Sequence, residues 1–464
     1  MDHRKISQLK TARLTRRKIL SGLVGLGALP LLQARESPSA ATAPTKAAAP
    51  PPAQPTQAAP AKVGGTVVLK WQSSNLGEAQ LEPIWKAAIP KFEAENPNIK
   101  IEPIPVPRVD EWTKFITAAK ANAAPDICTG NTLVIDAAYQ GLLTPLDAFW
   151  NAESEAFRNT WPKGCLEACM WQGKLYGMPE YGGVYGEFYN KDLVKQAGLD
   201  ISKPPTNWSD YLDWMKKLTK SDQQWGTAIL GGKTDTTTRT LLGWIWANGG
   251  EAFNKDMTQA TFASNPKSLE AIEFYVGLDV THGVVAPGAV NINYLEQTTL
   301  FAREKVASMH TAFWGVAKVL GENPAIKGKI AVAFRPMNTG TKVTVSQVTS
   351  DFISKDCKNP EAAWKFLKFW NDREWVVRRA LEANWMPLRT DVANDPRLQK
   401  DPLLVQFLEF GKSGRGYPLP HPLWMGIAVI DVVPALQAAL LKQGTVKEVF
   451  SKLDETITKK LKEM

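Results

Sequence analysis

Residues 66–128 open on Thr66–Gln72, TVVLKWQ, and close on Asp126-Ile127-Cys128, and this stretch decides the fold. Thr66–Gln72 reads as a buried strand. Leu81–Asn96 then places Ile84, Trp85, Ala88 and Phe92 at helical spacing and stops at Asn96-Pro97, a pair that cannot continue a helix. Ile99–Val106 is a second strand, Glu111–Asn122 a second helix, and Asp126–Cys128 the edge of a third strand. A βαβαβ order implies an α/β fold, with a parallel sheet flanked by helices on both faces.

The same grammar continues outward from this stretch. Trp208–Lys220 reads as a helix entered at Asn207 or Ser209, with Tyr211, Leu212, Met215 and Leu218 on one side. Asn359-Pro360-Glu361 starts another, with Asn359 placed to cap it and Pro360 suited to its first turn. Thr445-x-x-Glu448 is a capping box ahead of Val449, Leu453, Ile457 and Leu461, so the chain ends in an amphipathic helix. At 464 residues the chain is too long for one core and comfortable for two or three. No short-period repeat is present.

The amino-terminal residues read as an address. Thr15-Arg16-Arg17-Lys18-Ile19-Leu20 opens an uncharged run through Leu32 that ends at Leu32-Gln33-Ala34. A charged segment, a short apolar segment and a final small residue make an export signal, and the paired arginines are similar to the twin-arginine class. The apolar run is shorter than the roughly 18–20 residues a membrane span requires. Residues 35–63, rich in Ala, Pro, Thr and Gln, have too little apolar surface to fold and read as an extended tether.

This leader also explains the charge. The formal net charge is +9, but residues 1–34 carry seven Lys/Arg and one Asp, which leaves +3 on the remainder. A weakly basic body without cationic runs gives no reason to invoke nucleic acid. The four Cys offer no metal-site spacing, and Cys165 and Cys169, one helical turn apart, are poorly placed for a mutual disulfide. Cys128 and Cys357 can pair only if the fold brings them together. No metal or cofactor is expected.

Several motifs follow one another in a distinctive order. Pro125-Asp126-Ile127 precedes Gly141-Leu142-Leu143-Thr144-Pro145-Leu146-Asp147, and Gly173-Lys174-Leu175-Tyr176-Gly177-Met178-Pro179 comes next. Phe188-Tyr189-Asn190-Lys191-Asp192-Leu193 leads to Ala197-Gly198-Leu199, and Pro204-Pro205-Thr206-Asn207-Trp208 follows. Asn248-Gly249-Gly250 and Asn359-Pro360-Glu361-Ala362-Ala363-Trp364 complete the set. Each match is weak alone, but in this order they resemble the family 1 extracellular solute-binding proteins, the maltose-binding-protein-like receptors of ABC sugar importers, from Gly64 to the carboxyl terminus.

The resemblance implies a two-lobed, type II periplasmic-binding-protein-like fold with a hinge between the lobes. One lobe would take residues 64–180 and about 349–393, the other 181–348 and about 394–464. A solute would bind in the cleft and leave unchanged, delivered to the membrane permease subunits of an ABC importer. The chain would be an exported monomer, in the periplasm or on the outer face of the cytoplasmic membrane. Seventeen Trp suit a carbohydrate ligand, because an indole offers a flat apolar face to a sugar ring and one N–H donor.

Candidate contacts follow from position. Gln72-Ser73-Ser74 lies just after the first strand, and Asn131 just after the third, where an open α/β sheet receives its ligand. Tyr181, Gly182 and Tyr185 sit in Glu180-Tyr181-Gly182-Gly183-Val184-Tyr185, similar to the family's first crossover between lobes. Trp244 and Asn248 share a helix face. Trp314, after the Val306-Ala307-Ser308-Met309 strand, matches a family position where an aromatic stacks on ligand. Arg389, in Trp385-Met386-Pro387-Leu388-Arg389, falls near the late crossover, and Trp424 near the start of the last helical region. For each, the competing role is a cap, a hinge contact or a core residue.

Two other readings stay open at this level. An exported carbohydrate-active enzyme would need two carboxylates flanking a bond, and Glu180 and Glu187 fall near the expected cleft. No G-x-S-x-G, H-E-x-x-H or Walker sequence occurs, so no catalytic residue is assigned. The same receptor role for a polyol phosphate or another non-sugar solute is the second alternative.

Overall fold

Val67–Ser73 (β1) and Ile99–Pro105 (β2) pair in parallel over their whole length, from Val67 opposite Ile99 to Ser73 opposite Pro105. This computed structural model describes residues 65–463, apart from 108–109, 131–133, 221 and 418. The export signal and tether expected over residues 1–63 lie outside the described residues.

The first βαβαβ unit forms as its periodicity dictates. Glu82–Glu95 (α1) buries Ile84, Ala88 and Phe92, and Glu111–Lys120 (α2) buries Phe115 and Ala119. Ile127–Gly130 (β3) pairs in parallel with β1, giving the local order β2-β1-β3. The sheet does not stay parallel. Thr344–Ile353 (β10) joins β3 antiparallel, and Gly177–Asn190 (β6) joins β10 antiparallel. A small hairpin, Met170–Trp171 (β4) with Lys174–Leu175 (β5), precedes β6 in sequence, and three strands lie between β6 and β10: Trp225–Ala228 (β7), Val306–Ala312 (β8) and Ile330–Ala333 (β9). Met386–Pro387 (β11) and Gly414–Tyr417 (β12) follow β10.

β6 is the longest strand, and every one of its fourteen residues is buried. Its first half pairs with β10, and its second half pairs with β8 over Tyr185–Tyr189 and with β9 over Glu187–Asn190. β10 behaves likewise, lying beside β3 over Ser350–Ile353 and beside β12 over Thr344–Gln347. Two long strands thus carry the chain through two α/β halves. One half is built on β1, β2 and β3, the other on β7, β8 and β9.

Each half has an apolar core. Trp71 meets Phe366 and Trp370 edge-on, both at 5.1 Å, above Phe92 and Ile127. In the second half Trp208, Tyr211, Trp244 and Tyr275 pack with Leu436, Phe450 and Ile457. Side chains of this size stabilise a fold by about 1.5–3 kcal/mol each when fully buried. A third cluster joins Phe188, Phe313 and Phe407 to Val376 and Val377 of the helix Arg373–Ala383, so the late helices pack back on the crossover.

The helix punctuation read from the sequence holds in two of three places. Asn207 caps Trp208–Leu218 through Asp210 N–H, and the Thr445/Glu448 capping box has both arms in place. Asn359 precedes Pro360–Trp370, yet its side chain makes no capping bond, and Pro360 alone marks that start. All four Cys are free and buried.

A candidate ligand cleft at the strand crossover

The turns that follow β1 and β2 bring Ser74, Gly77 and Glu78 beside Pro105, Val106 and Pro107, at the carboxyl ends of parallel strands. Facing them is Tyr294, the first residue of the helix Tyr294–Ala302, fixed by the Asn293/Glu296 capping box. Together they line an open cleft of about 410 Å³. Its walls come from both halves, because β1 and β2 belong to one and the Tyr294 helix packs on β8 of the other.

Polar groups at the cavity are fixed by buried partners. Ser74 N–H donates to Glu111 Oε1 at 2.7 Å, while the buried Ser74 Oγ has no hydrogen-bond partner. Tyr294 meets Trp314 edge-on at 5.0 Å, and Trp314 meets Tyr185 edge-on at 6.5 Å. Trp314, half-buried before the helix Gly315–Glu322, lies against the crossover: a Cβ on Gly183 would come within 3.3 Å of both Trp314 Nε1 and Gln347 Oε1. Behind Tyr185 stands a buried polar array. The Tyr185 hydroxyl accepts from Arg239 Nη1 at 2.9 Å, and its ring stacks on His310 at 5.7 Å. His310 Nδ1 is 3.2 Å from Glu187 Oε2, and Tyr211 donates to Glu187 Oε1 at 3.0 Å. Burial pushes Glu187 up to about 7 and holds His310 well below its ordinary value.

The structure sorts the residues singled out from the sequence. Gln72 and Ser73 point inward, to Glu111 O at 3.3 Å and to Asn75 N–H at 3.1 Å, and Ser74 is the residue that reaches the cavity. Tyr181 is stacked flat on Trp385 at 3.7 Å, and Gly182 has no room for a side chain, since a Cβ would lie 2.6 Å from Leu388 Cδ2. Tyr185 and Trp314 stand together beside Tyr294. Asn131 lies outside the described residues.

Four others sit apart from this group. Trp244 is 2% exposed, surrounded by Trp208, Tyr211 and Phe274 and covered by Arg335 at 4.8 Å. Asn248 ties its helix end to the neighbouring helix through Lys267 O and Glu270 Oε2. Arg389 is engaged by Asp391 and Asn371 O over the Trp161 ring. Trp424 packs on Tyr417 and Phe253 in the second core. Helical spacing says which side chains share a face but not which face meets solvent, and the Trp244 helix is buried all round from Thr236 to Ala247. Glu180 and Glu187, the carboxylates an enzyme would need, are both buried: Glu180 accepts from Trp370 Nε1 at 2.6 Å, and Glu187 is held as described.

Three residues of this region were not singled out. Tyr294 was signalled by the Asn293-x-x-Glu296 box that fixes its helix start. Arg239 was signalled as the one basic residue of Asp235–Ala247, a helix whose last twelve residues are buried. Gln347 had no signal in the sequence, since its importance comes from strand pairing alone.

A two-lobed α/β molecule with a cleft between the strand ends of one lobe and a helix start of the other is the architecture of a ligand receptor. Residues 78–376 match the model of the bacterial extracellular solute-binding protein family, and the chain belongs to that family. It is a family of solute-binding proteins, not of enzymes. A putative binding protein of Brucella abortus is 28% identical over 388 residues, 82% of this chain and 91% of its own. The maltotriose-binding protein of Pyrococcus abyssi is 22% identical, covering 86% of this chain and 84% of its own. An ABC transporter solute-binding protein of Thermotoga lettingae, solved with α-D-tagatose bound, superposes with a TM-score of 0.77 at 25% identity. That superposition covers 86% of this chain and all of the other.

Proposed function

We propose that this protein captures a neutral carbohydrate in the cavity between its lobes and hands it, unaltered, to the permease of an ABC importer. The observation that carries the reading is Tyr294, met edge-on by Trp314, at the wall of a cleft also lined by Ser74, whose hydroxyl is unpartnered. Aromatic faces suit the C–H faces of a sugar ring, and a buried hydroxyl without a partner suits a ligand hydroxyl. The named ligands of similar proteins, maltotriose and tagatose, are of this class. Arg239, the guanidinium beside Tyr185, is already engaged by protein groups, which favours a neutral solute over a phosphate.

The lobes on this reading are residues 64–180 with about 349–393, and 181–348 with about 394–464. The leader through Ala34 would take the chain out by the twin-arginine route. Residues 35–63 would tether the body in the periplasm or at the outer face of the membrane. The chain would work as a monomer and would not bind nucleic acid, in keeping with the +3 that remains beyond the leader. The test is isothermal titration against mono- and oligosaccharides, polyols and polyol phosphates, with product analysis of each mixture. Saturable binding of an unaltered sugar is expected. Saturation only by a phosphate, or cleavage of a bound sugar, would refute it.

A further inference from the structure

β6 and β10 pass through both lobes, and on each side of the crossover one buried guanidinium holds both strands. On the second-lobe side, Arg239 donates to the Tyr185 hydroxyl of β6 at 2.9 Å and to Gln347 Oε1 of β10. It also pairs with Asp235 on its own helix and lies 4.7 Å over the Tyr417 ring of β12. On the first-lobe side, Arg379 of the helix Arg373–Ala383 lies 3.6 Å from Glu180 of β6. It donates to Asn371 Oδ1 at 3.1 Å, and Asn371 Nδ2 donates to Asp351 Oδ2 of β10 at 3.2 Å. Arg379 also donates to Trp370 O and covers the Trp370 ring at 4.2 Å, while that indole donates to Glu180. Arg239 is 4% exposed and Arg379 1%. Detaching either would leave a buried charge unpaired, so motion should spare the segments they hold.

Between the two guanidiniums lie Tyr181–Val184 on β6 and Val348–Ser350 on β10. Each strand changes its second neighbour here. β10 has β12 beside it up to Gln347 and β3 beside it from Ser350, and β6 exchanges β11 for β8 between Gly182 and Tyr185. The register between β6 and β10 slips between Thr349 and Ser350, leaving Glu180 unopposed. Gly182 and Gly183 fall in the same window. We infer that Arg239 and Arg379 are positioning residues that clamp the two crossover strands and confine inter-lobe bending to 181–184 and 348–350. The inference rests on the fold and not on the identity of the ligand. Hinges of this kind are a few residues that absorb the backbone change while packed elements on either side move as bodies.

Two ligand-free measurements on the folded protein test it. In hydrogen exchange, the amides of Tyr181–Val184 and Val348–Ser350 should exchange faster than those of Tyr185–Tyr189 and Asp351–Ile353. Equal or slower exchange would overturn the assignment. Spin labels on cysteines introduced at the exposed Lys86 and Lys267, one in each lobe, give the inter-lobe distance, the native Cys being buried. Arg239→Met and Arg379→Met should each broaden that distribution, and Arg→Lys should restore it only in part, because an ammonium lacks the planar fork. If a methionine variant fails to fold, Tyr185→Phe and Glu180→Gln, which loosen one strand each with little change of shape, should broaden it instead. A lowered unfolding midpoint with an unchanged distance distribution would show a purely structural role and sink the proposal. No sugar enters either measurement, so failure of the carbohydrate reading leaves this result standing.

Discussion

Trp314 and His310 stand on either side of Tyr185 and make different predictions. Trp314 is half-buried with its indole edge on neighbours, so truncation removes aromatic surface without opening a core. Trp314→Ala should weaken sugar binding by about tenfold, equivalent to about 1.4 kcal/mol, with little change in the unfolding midpoint. Calorimetric titration checks the first and thermal denaturation the second; unchanged affinity would remove Trp314 from the site.

His310 is held neutral by burial, so folding disfavours its proton; Glu187 is raised to about 7, so folding favours one there. Between the ordinary Glu value of 4.5 and the ordinary His value of 6.5, the unfolded chain holds its proton on His and the folded chain holds it on Glu. The count is equal, and this pair adds no slope to stability over that window. His310→Gln removes the unfolded state's proton and leaves the one on folded Glu187. Its stability relative to the parent should therefore fall as pH rises from 4.5 to 6.5. Urea unfolding of both proteins across that range is the check, and a flat or rising difference contradicts the assignment.

At the scale of an element, the last helix shows how a local signal becomes stability. Val446–Lys462 buries Phe450, Leu453 and Ile457, and Thr445 and Glu448 satisfy backbone N–H groups that its first turn leaves open. Thr445→Ala should cost about 1 kcal/mol in chemical denaturation. Core substitution is more severe. Phe92 of α1 is 1% exposed and packs on Phe366 at 5.1 Å and Phe369 at 5.3 Å, tying the first helix to a segment far along the chain. Phe92→Ala should cost about 3–5 kcal/mol, read from the same denaturation curves. Such elements were legible because periodicity and capping are local. The β1–β3 order, the helix at Trp208 and the Thr445 box all follow from residues within a few positions of each other. Asn359 shows where this stops: a residue of the right type at the right place makes no capping bond, and the following proline suffices.

For the whole molecule, the relevant quantity is the free energy a ligand adds by binding the folded protein alone. A sugar at a hundredfold excess over its Kd should stabilise the fold by about 2.7 kcal/mol, visible as a raised melting temperature. A sugar that titrates by calorimetry but leaves the melting temperature unchanged would place its binding outside the cooperative fold.

The sequence by itself determined the α/β alternation, the helices at Glu82–Glu95, Glu111–Lys120, Trp208–Leu218, Pro360–Trp370 and Val446–Lys462, and the family resemblance. All of these are written in residue type at short spacing. Only the tertiary structure decided that β10 enters antiparallel between β3 and β6, and that β6 and β10 pass through both lobes. It alone picked Ser74 out of Gln72-Ser73-Ser74 as the cleft contact, sent Trp244 and Trp424 into a core, and set Tyr294, Gln347 and Arg239 around Tyr185 and Trp314. The reason is physical. Periodicity tells which side chains share a face, but what that face meets depends on pairing between strands more than a hundred residues apart.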